Sequence, residues 1–165
     1  MSYSKGKNRP DNFQTPITAL EPIIKYIPKE YVIWEPACGN GNIVNFFQSN
    51  GYTINGTDVK DGFDFFNNQI DCDCIITNPP YSIKDKWLER VYQLNKPFML
   101  LLPITALEGK KRQKLYSEYG LELILMNKRI NYETPSGKGS GSWFASAWFT
   151  NGFNIGSQIS FEILK

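Results

Sequence analysis

The sequence predicts a single α/β domain around a sheet whose central strand is buried and parallel. Three observations carry that reading. Residues 31–34 are a short apolar run that enters a glycine-containing turn and then a helical pattern at 43–47. Strand, turn and helix in that order make the first half of a nucleotide-binding βαβ unit. A second run, Ile75-Ile76-Thr77, lacks polar alternation and stops at Asn78-Pro79-Pro80-Tyr81, as a strand covered on both faces does. The chain has 165 residues, which suits one domain with a real core.

Composition removes several function classes. The net charge is only +2, so the chain is no polycation and a nucleic-acid partner has to be held by local basic patches. Cys72 and Cys74 are too close for a CxxC site, and with no histidine in the chain a zinc set cannot be completed. No metal site is therefore expected. The same lack of histidine removes triads and histidine general bases. Three cysteines without a disulfide framework point to a reducing cytosol. No signal peptide is visible, and no apolar run approaches the roughly 20 residues of a membrane span. A cytoplasmic protein with no membrane partner is expected.

In chain order, residues 1–12 are polar and carry Lys5, Lys7 and Arg9; they read as a flexible arm. Thr15 is a suitable N-cap and Pro16 a suitable first helical residue, which predicts a helix from there to Ile27, with Pro22 as a blemish. Glu35-Pro36-Ala37-Cys38-Gly39-Asn40-Gly41 follows the first strand. Gly39 and Gly41 let backbone pass close to a ligand. The pattern is not GxGxxG and has no Walker lysine, so a phosphate cradle is not expected. Glu35 suits a ligand with a positive amino group. Residues 52–58 read as the second strand, and Asp58 stands about 20 residues past the glycine turn, where such folds put a carboxylate on ribose hydroxyls.

Residues 61–66 mix acids and aromatics, including Asp64 and Phe65. Residues 71–78 give the central strand. At its end Pro79 and Pro80 offer no N–H and hold the preceding residues extended, so the corner presents oxygen acceptors beside the ring of Tyr81. That surface suits a planar group with an exocyclic amine. Residues 84–94 read as a helix buried through Trp87, Leu88, Val91 and Leu94. Residues 97–102 are an apolar strand. Lys110, Lys111, Arg112 and Lys114 share one predicted helix, either a solvated face or a phosphate contact. Residues 121–126 form a buried strand that 129–132 continue. Residues 133–141, with Lys138, read as a flexible loop, 143–149 as a closing strand, and 159–164 as a short edge strand or docked tail.

Glu-Pro-Ala-Cys-Gly-Asn-Gly and Asn-Pro-Pro-Tyr together resemble the cofactor and catalytic motifs of S-adenosylmethionine-dependent amino-methyltransferases. The order of motifs is similar to that of compact gamma-class and Dam-like N6-adenine DNA enzymes over residues 13–150. The resemblance implies a Rossmann-like class I methyltransferase fold. Its sheet has seven strands, mostly parallel with an antiparallel last strand, and helices on both faces. It implies S-adenosyl-L-methionine as cofactor, held by Thr15, Pro16, Glu35, Pro36, Ala37, Cys38, Gly39, Gly41, Asp58, Asp64, Phe65 and Asn78. Thr15 and Pro16 would lie over its methionine end, and Asp64 and Phe65 would grip its adenine. Asn78, Pro79, Pro80 and Tyr81 would be catalytic. Tyr132, in an Arg-Ile-x-aromatic segment, would stack on the far face of the acceptor base, with Trp143 or Phe144 as the fallback.

The implied activity is methyl transfer to adenine N6 in DNA. Duplex DNA would have to extrude the base, and a single strand would present it directly. Lys110, Lys111, Arg112 and Lys138 are the candidate contacts to nucleic acid, with DNA favoured over RNA. The chain departs from restriction-type relatives in having no room for a target-recognition domain. Low sequence readout is expected, or specificity from a homodimer or partner subunit. A phage or mobile-element enzyme working in the host cytoplasm fits this compactness. Three alternatives stand beside this reading. They are an RNA adenine methyltransferase, a release-factor glutamine methyltransferase, and a non-catalytic nucleic-acid-binding subunit on the same fold.

Overall fold

A computed structural model describes residues 13–134, 137–138 and 144–165. The predicted arm at 1–12 and Trp143 lie outside these residues. The elements run α1 (Ile17–Leu20), β1 (Val32–Glu35), α2 (Asn42–Ser49), β2 (Thr53–Gly56), β3 (Cys74–Thr77), α3 (Lys84–Leu94), β4 (Phe98–Pro103), α4 (Lys110–Tyr119), β5 (Glu122–Met126), β6 (Glu133–Thr134), β7 (Gly137–Lys138), β8 (Ser146–Asn151) and β9 (Ile159–Glu162).

Seven strands form one sheet in the order β2-β1-β3-β4-β8-β5-β9, and β6 with β7 makes a separate two-stranded ladder. Strand β8 runs antiparallel to both β4 and β5, while the other pairings in the sheet are parallel. The sequence predicts that the antiparallel strand is the last; it is β8, the last but one. It is followed by β9, which adds a parallel edge beside β5. Ile159 and Phe161 point away from the core there, as does Ile163 just beyond the strand.

Strand alternation sorts the core into two layers. Ile33, Ile76, Met99, Leu101 and Trp148 face α1 and α2 through Leu20, Ile43 and Phe47. Trp34, Ile75, Phe98, Leu100 and Phe149 face α3 and α4 through Trp87, Leu88, Val91 and the half-buried Leu115 and Tyr116. Trp87, Leu88 and Val91 recur at helical spacing, and each is buried. Burial of side chains of this size contributes about 1.5–3 kcal/mol apiece.

Several sequence boundaries need correction. The helix expected from Thr15 to Ile27 is a single turn, α1, and its N-cap is Pro16 with no side-chain cap. A proline at 22 cannot donate to that ladder, and the chain continues as a 3-10 turn at Ile24–Tyr26. Residues 129–132 do not extend β5, which ends at Met126; they turn inward and bury Ile130 and Tyr132. The closing strand begins at Ser146 rather than 143. Within the predicted loop at 133–141, Glu133–Thr134 and Gly137–Lys138 pair as strands.

The topology fixes where a site can form. From β1 the chain crosses to β2 on one side and then returns to β3 on the other. The carboxyl ends of β1 and β3 therefore flank a topological switch point, the usual ligand crevice of an open parallel sheet.

Candidate active site

Glu35 closes β1, and Asn78 follows β3 directly. The two strands are paired with Trp34 opposite Ile75, so both residues arrive at the same crevice. A cavity of about 470 Å³ opens there. Its wall brings together Thr15, Glu35, Pro36, Ala37, Cys38, Gly39, Asp58, Asp64, Phe65, Asn78 and Pro80, eleven of the residues singled out from the sequence. Pro16, Gly41, Pro79, Tyr81 and Tyr132 are not among the lining residues. Pro79 is buried beneath the corner.

The β1 turn is held by acids. Gly39 N–H donates to Asp58 Oδ2 at 2.9 Å, and Lys60 N–H to Asp58 Oδ1 at 3.0 Å. Ala37 N–H donates to Glu35 Oε1 at 2.9 Å. Gly39 has φ +51 and Gly41 φ +87, which L side chains rarely adopt, and a Cβ on Gly39 would lie 2.9 Å from Gln14 Oε1. Gly41 serves as the N-cap of α2. Lys60, unremarked in the sequence, reaches over the turn and donates to Gly39 O at 2.6 Å.

Glu35 is fully buried, and its Oε2 has no hydrogen-bond partner among the described residues. Burial pushes its carboxyl up to about 8 from an ordinary 4.5; the nearby Thr77 hydroxyl and the Ala37 N–H oppose the shift, and the charge of Asp58 adds to it, although Thr77 Oγ1 makes no hydrogen bond of normal geometry among the described residues. Near neutral pH the free protein therefore holds Glu35 mainly as the acid, and a cationic partner is what would favour its carboxylate form.

The β3 corner is made differently. Asn78 Nδ2 donates to the Phe13 carbonyl at 2.8 Å. This fixes the amide so that Oδ1 is the free end, and that oxygen is buried without a partner among the described residues. Tyr81 O–H donates to Tyr132 Oη at 2.9 Å, and Tyr132 O–H to Ser146 Oγ at 2.8 Å. Burial pushes the Tyr132 phenol up to about 12, against its bonds to Ser146 and Tyr81. Phe13, Tyr81, Tyr132 and Phe144 form a ring cluster with centroids 5.6–6.0 Å apart.

An N-terminal strap joins the two parts. Gln14 pairs with Glu133 through N–H to carbonyl bonds in both directions, 2.9 and 3.2 Å. Gln14 Oε1 accepts from Asn40 N–H, and Asn42 Nδ2 donates to Thr15 O and to Glu133 Oε2. Sequence reasoning missed Gln14, Asn42 and Glu133 as structural partners, because the bridge spans most of the chain and no local pattern signals it.

Some of the expected residues are held by their own neighbours. Phe65 borders the cavity but is 2% exposed and stacks on Trp87 at 4.3 Å, so most of its ring is in the core; Phe63 and Phe66 are the half-buried rings of that loop. Asp64 accepts from Phe66 N–H and from Asn67 Nδ2 within its own loop. Tyr132 is 4% exposed and holds Tyr81 rather than presenting a face. Arg112 is tied down by Asp85 at 2.6 Å and by the carbonyls of Ala106 and Glu108, which removes it as a free phosphate contact. Lys110 and Lys111 are exposed on α4. Lys138 lies in β7, with its side chain outside the described residues. No helix among the described residues is long and apolar enough to cross a membrane, and no metal-binding group of acids and cysteines occurs among them.

No family model and no curated protein matches the chain. Among solved structures, it is similar to a protein of Listeria monocytogenes assigned to the class I S-adenosylmethionine-dependent methyltransferases. The TM-score is 0.60 at 15% identity, over 96% of this chain and 68% of that one. It is also similar to a protein of Vibrio vulnificus assigned as a modification subunit of a type I restriction enzyme. There the TM-score is 0.52 at 13% identity, over 84% of this chain and 44% of that one. The chain has the Rossmann-like fold of these methyltransferases, with a seven-stranded, mostly parallel sheet.

Proposed function

We propose that the protein is an S-adenosylmethionine-dependent methyltransferase acting on the exocyclic N6 amine of adenine in DNA, with little sequence readout of its own. The observation that carries this reading is Asn78 Oδ1, a buried and unpartnered acceptor at the carboxyl end of β3, on the wall of a ligand-sized cavity.

The residues present fit the cofactor. The open Oε2 of Glu35 suits its amino group, and Asp58, with both oxygens anchored to the turn, suits its ribose hydroxyls. Phe63 and Phe66, more than the buried Phe65, offer ring surface to its adenine. Thr15 closes the cavity from the strap. Bound there, S-adenosylmethionine supplies an electrophilic methyl carbon.

The chain's own task is to prepare the acceptor nitrogen, whose lone pair is delocalised into the base. Asn78 Oδ1 and the Pro79 carbonyl accept the two amine hydrogens, which favours the attacking geometry and stabilises the positive charge that develops on nitrogen. Tyr81 holds the base flat, and its hydroxyl is anchored through Tyr132 to Ser146. These side chains are all uncharged, as suits a neutral acceptor.

The test is incubation with S-adenosylmethionine and, separately, unmethylated duplex DNA, single-stranded DNA and RNA, followed by digestion to nucleosides and identification by mass. N6-methyldeoxyadenosine is the expected product. Methyl on cytosine, or on RNA alone, would keep the mechanism and change the acceptor. No methyl on any of the three, with cofactor bound, would overturn the nucleic-acid reading.

A further inference from the structure

A flat acceptor beside Asn78 has Tyr81 on one face, and Tyr132 is too buried to cover the other. The ring that does lie over Tyr81 belongs to Phe13, with centroids 6.0 Å apart and planes within 23° of parallel. Phe144 stands edge-on to both, at 5.7 Å and 84° from Tyr81 and at 5.8 Å and 77° from Phe13. Two near-parallel rings with a third across their side are stacked on each other at rest and would flank a flat ring that parted them. The carbonyl of Phe13 also holds the Asn78 amide at 2.8 Å, so one residue sets the direction of the acceptor oxygen and carries the opposing ring.

We propose that Phe13 is the second wall of a base clamp: the acceptor base slides between Phe13 and Tyr81 with its amine toward Asn78 Oδ1. The proposal rests on the methyltransferase reading above. A ring sandwiched between two others needs about 7 Å between their planes, two contacts of about 3.5 Å each. With centroids 6.0 Å apart the planes lie closer than that, so the resting rings touch each other and a base enters only when one wall moves away. The wall that yields is the strap, held near Phe13 by the Asn78 bond and the Gln14–Glu133 bridge. Tyr81 is the fixed wall, anchored by the Tyr132 and Ser146 hydroxyls.

The test is methylation of a single-stranded, adenine-containing oligodeoxynucleotide by the wild type and by Phe13→Ala, Phe13→Leu and Phe13→Tyr, with S-adenosylmethionine affinity measured by calorimetry on each. Loss of one base–aromatic stack predicts an acceptor KM raised at least about tenfold in Phe13→Ala and Phe13→Leu. In both, kcat and cofactor affinity stay within about threefold, and Phe13→Tyr restores the KM. Phe13→Leu keeps the apolar bulk, so it separates loss of the ring from loss of packing. An unchanged KM would overturn the clamp. So would a lowered KM, since the ring would then be occupying the base's place. Cofactor affinity lost with KM retained would also overturn it, by assigning Phe13 to the cofactor alone. A wild type that binds cofactor and methylates no nucleic acid removes the function reading and the clamp with it. An active wild type with an indifferent Phe13→Ala removes only the clamp.

Discussion

The turn after β1 and the corner after β3 are neighbours in the sheet, yet they are built from different materials. At the turn, carboxylates do the holding: Asp58 takes two backbone N–H groups, Glu35 takes a third, and Lys60 closes the ring of contacts on Gly39. At the corner, the side chains that meet are an amide, hydroxyls and aromatic rings. Each part leaves one buried oxygen open, a carboxylate oxygen on Glu35 and an amide oxygen on Asn78. A charged acceptor rewards a cation, whereas a neutral acceptor rewards a neutral N–H donor and adds directionality. On the function proposed above, the turn would take the cationic cofactor and the corner the uncharged amine, although both sit on one crevice.

Mutations that separate the two parts sharpen or break this division. The largest effect is expected at Asn78. Asn78→Ala should lower kcat by at least about a hundredfold, the scale of losing one preorganised polar group at the reacting centre, while cofactor affinity stays within about threefold. Unchanged turnover would dismiss the corner as catalytic. Next comes Asp58→Ala, expected to weaken cofactor binding by about ten- to a hundredfold as the turn loses its carboxylate, with kcat at saturation nearly retained. Calorimetry showing no loss would take Asp58 out of the cofactor site.

Glu35 provides a pH test. Its folded pKa of about 8 lies above the ordinary 4.5, so the folded protein binds the extra proton and stability of the free protein should fall as pH rises from about 4.5 to 8. A cation docking on the carboxylate should expel that proton. Binding should therefore tighten as pH rises toward 8, with proton release visible in buffers of different ionisation enthalpy. Glu35→Gln should abolish both dependences. The smallest effect is expected for Tyr132→Phe, which removes the hydroxyl between Tyr81 and Ser146. A loss of about 1 kcal/mol, or roughly 2–4 °C in Tm, is expected with less than about fivefold change in turnover. A loss in turnover as large as that of Asn78→Ala would make the hydroxyl chain part of the chemistry.

The same contrast explains what could be read in advance. The turn was legible because its parts are local: Glu35, Gly39 and Asp58 lie in one strand–turn–helix–strand unit, and period and glycine placement announce it. The corner was legible only as far as Asn78-Pro79-Pro80-Tyr81 itself. Its other members come from far away. Phe13 is 65 positions from Asn78, and Tyr132 is 51 from Tyr81. Thr15 has the side chain of a helix cap, because Ser, Thr, Asp and Asn favour that position, but the helix starts one residue later with Pro16 at its N-cap, and the backbone of Thr15 is used to tie down Asn42. In the acidic–aromatic loop, composition could not say which phenylalanine would be stacked on Trp87; packing chose Phe65. Nor could it say that Arg112 of the basic helix would meet Asp85.

The position of β8 carries a consequence for how the molecule comes into being. It pairs over six residues with β4 and over four with β5, so the sheet's middle depends on residues 146–151. As the chain is synthesised, β1 to β4 can associate in order, but β5 has no seat until β8 has emerged to carry it. Until then the flank of β4 that β8 will cover has no strand partner, and covering it joins segments that are distant in sequence. Such late, non-local closure favours slow folding and exposes an unpaired strand edge to neighbouring nascent chains.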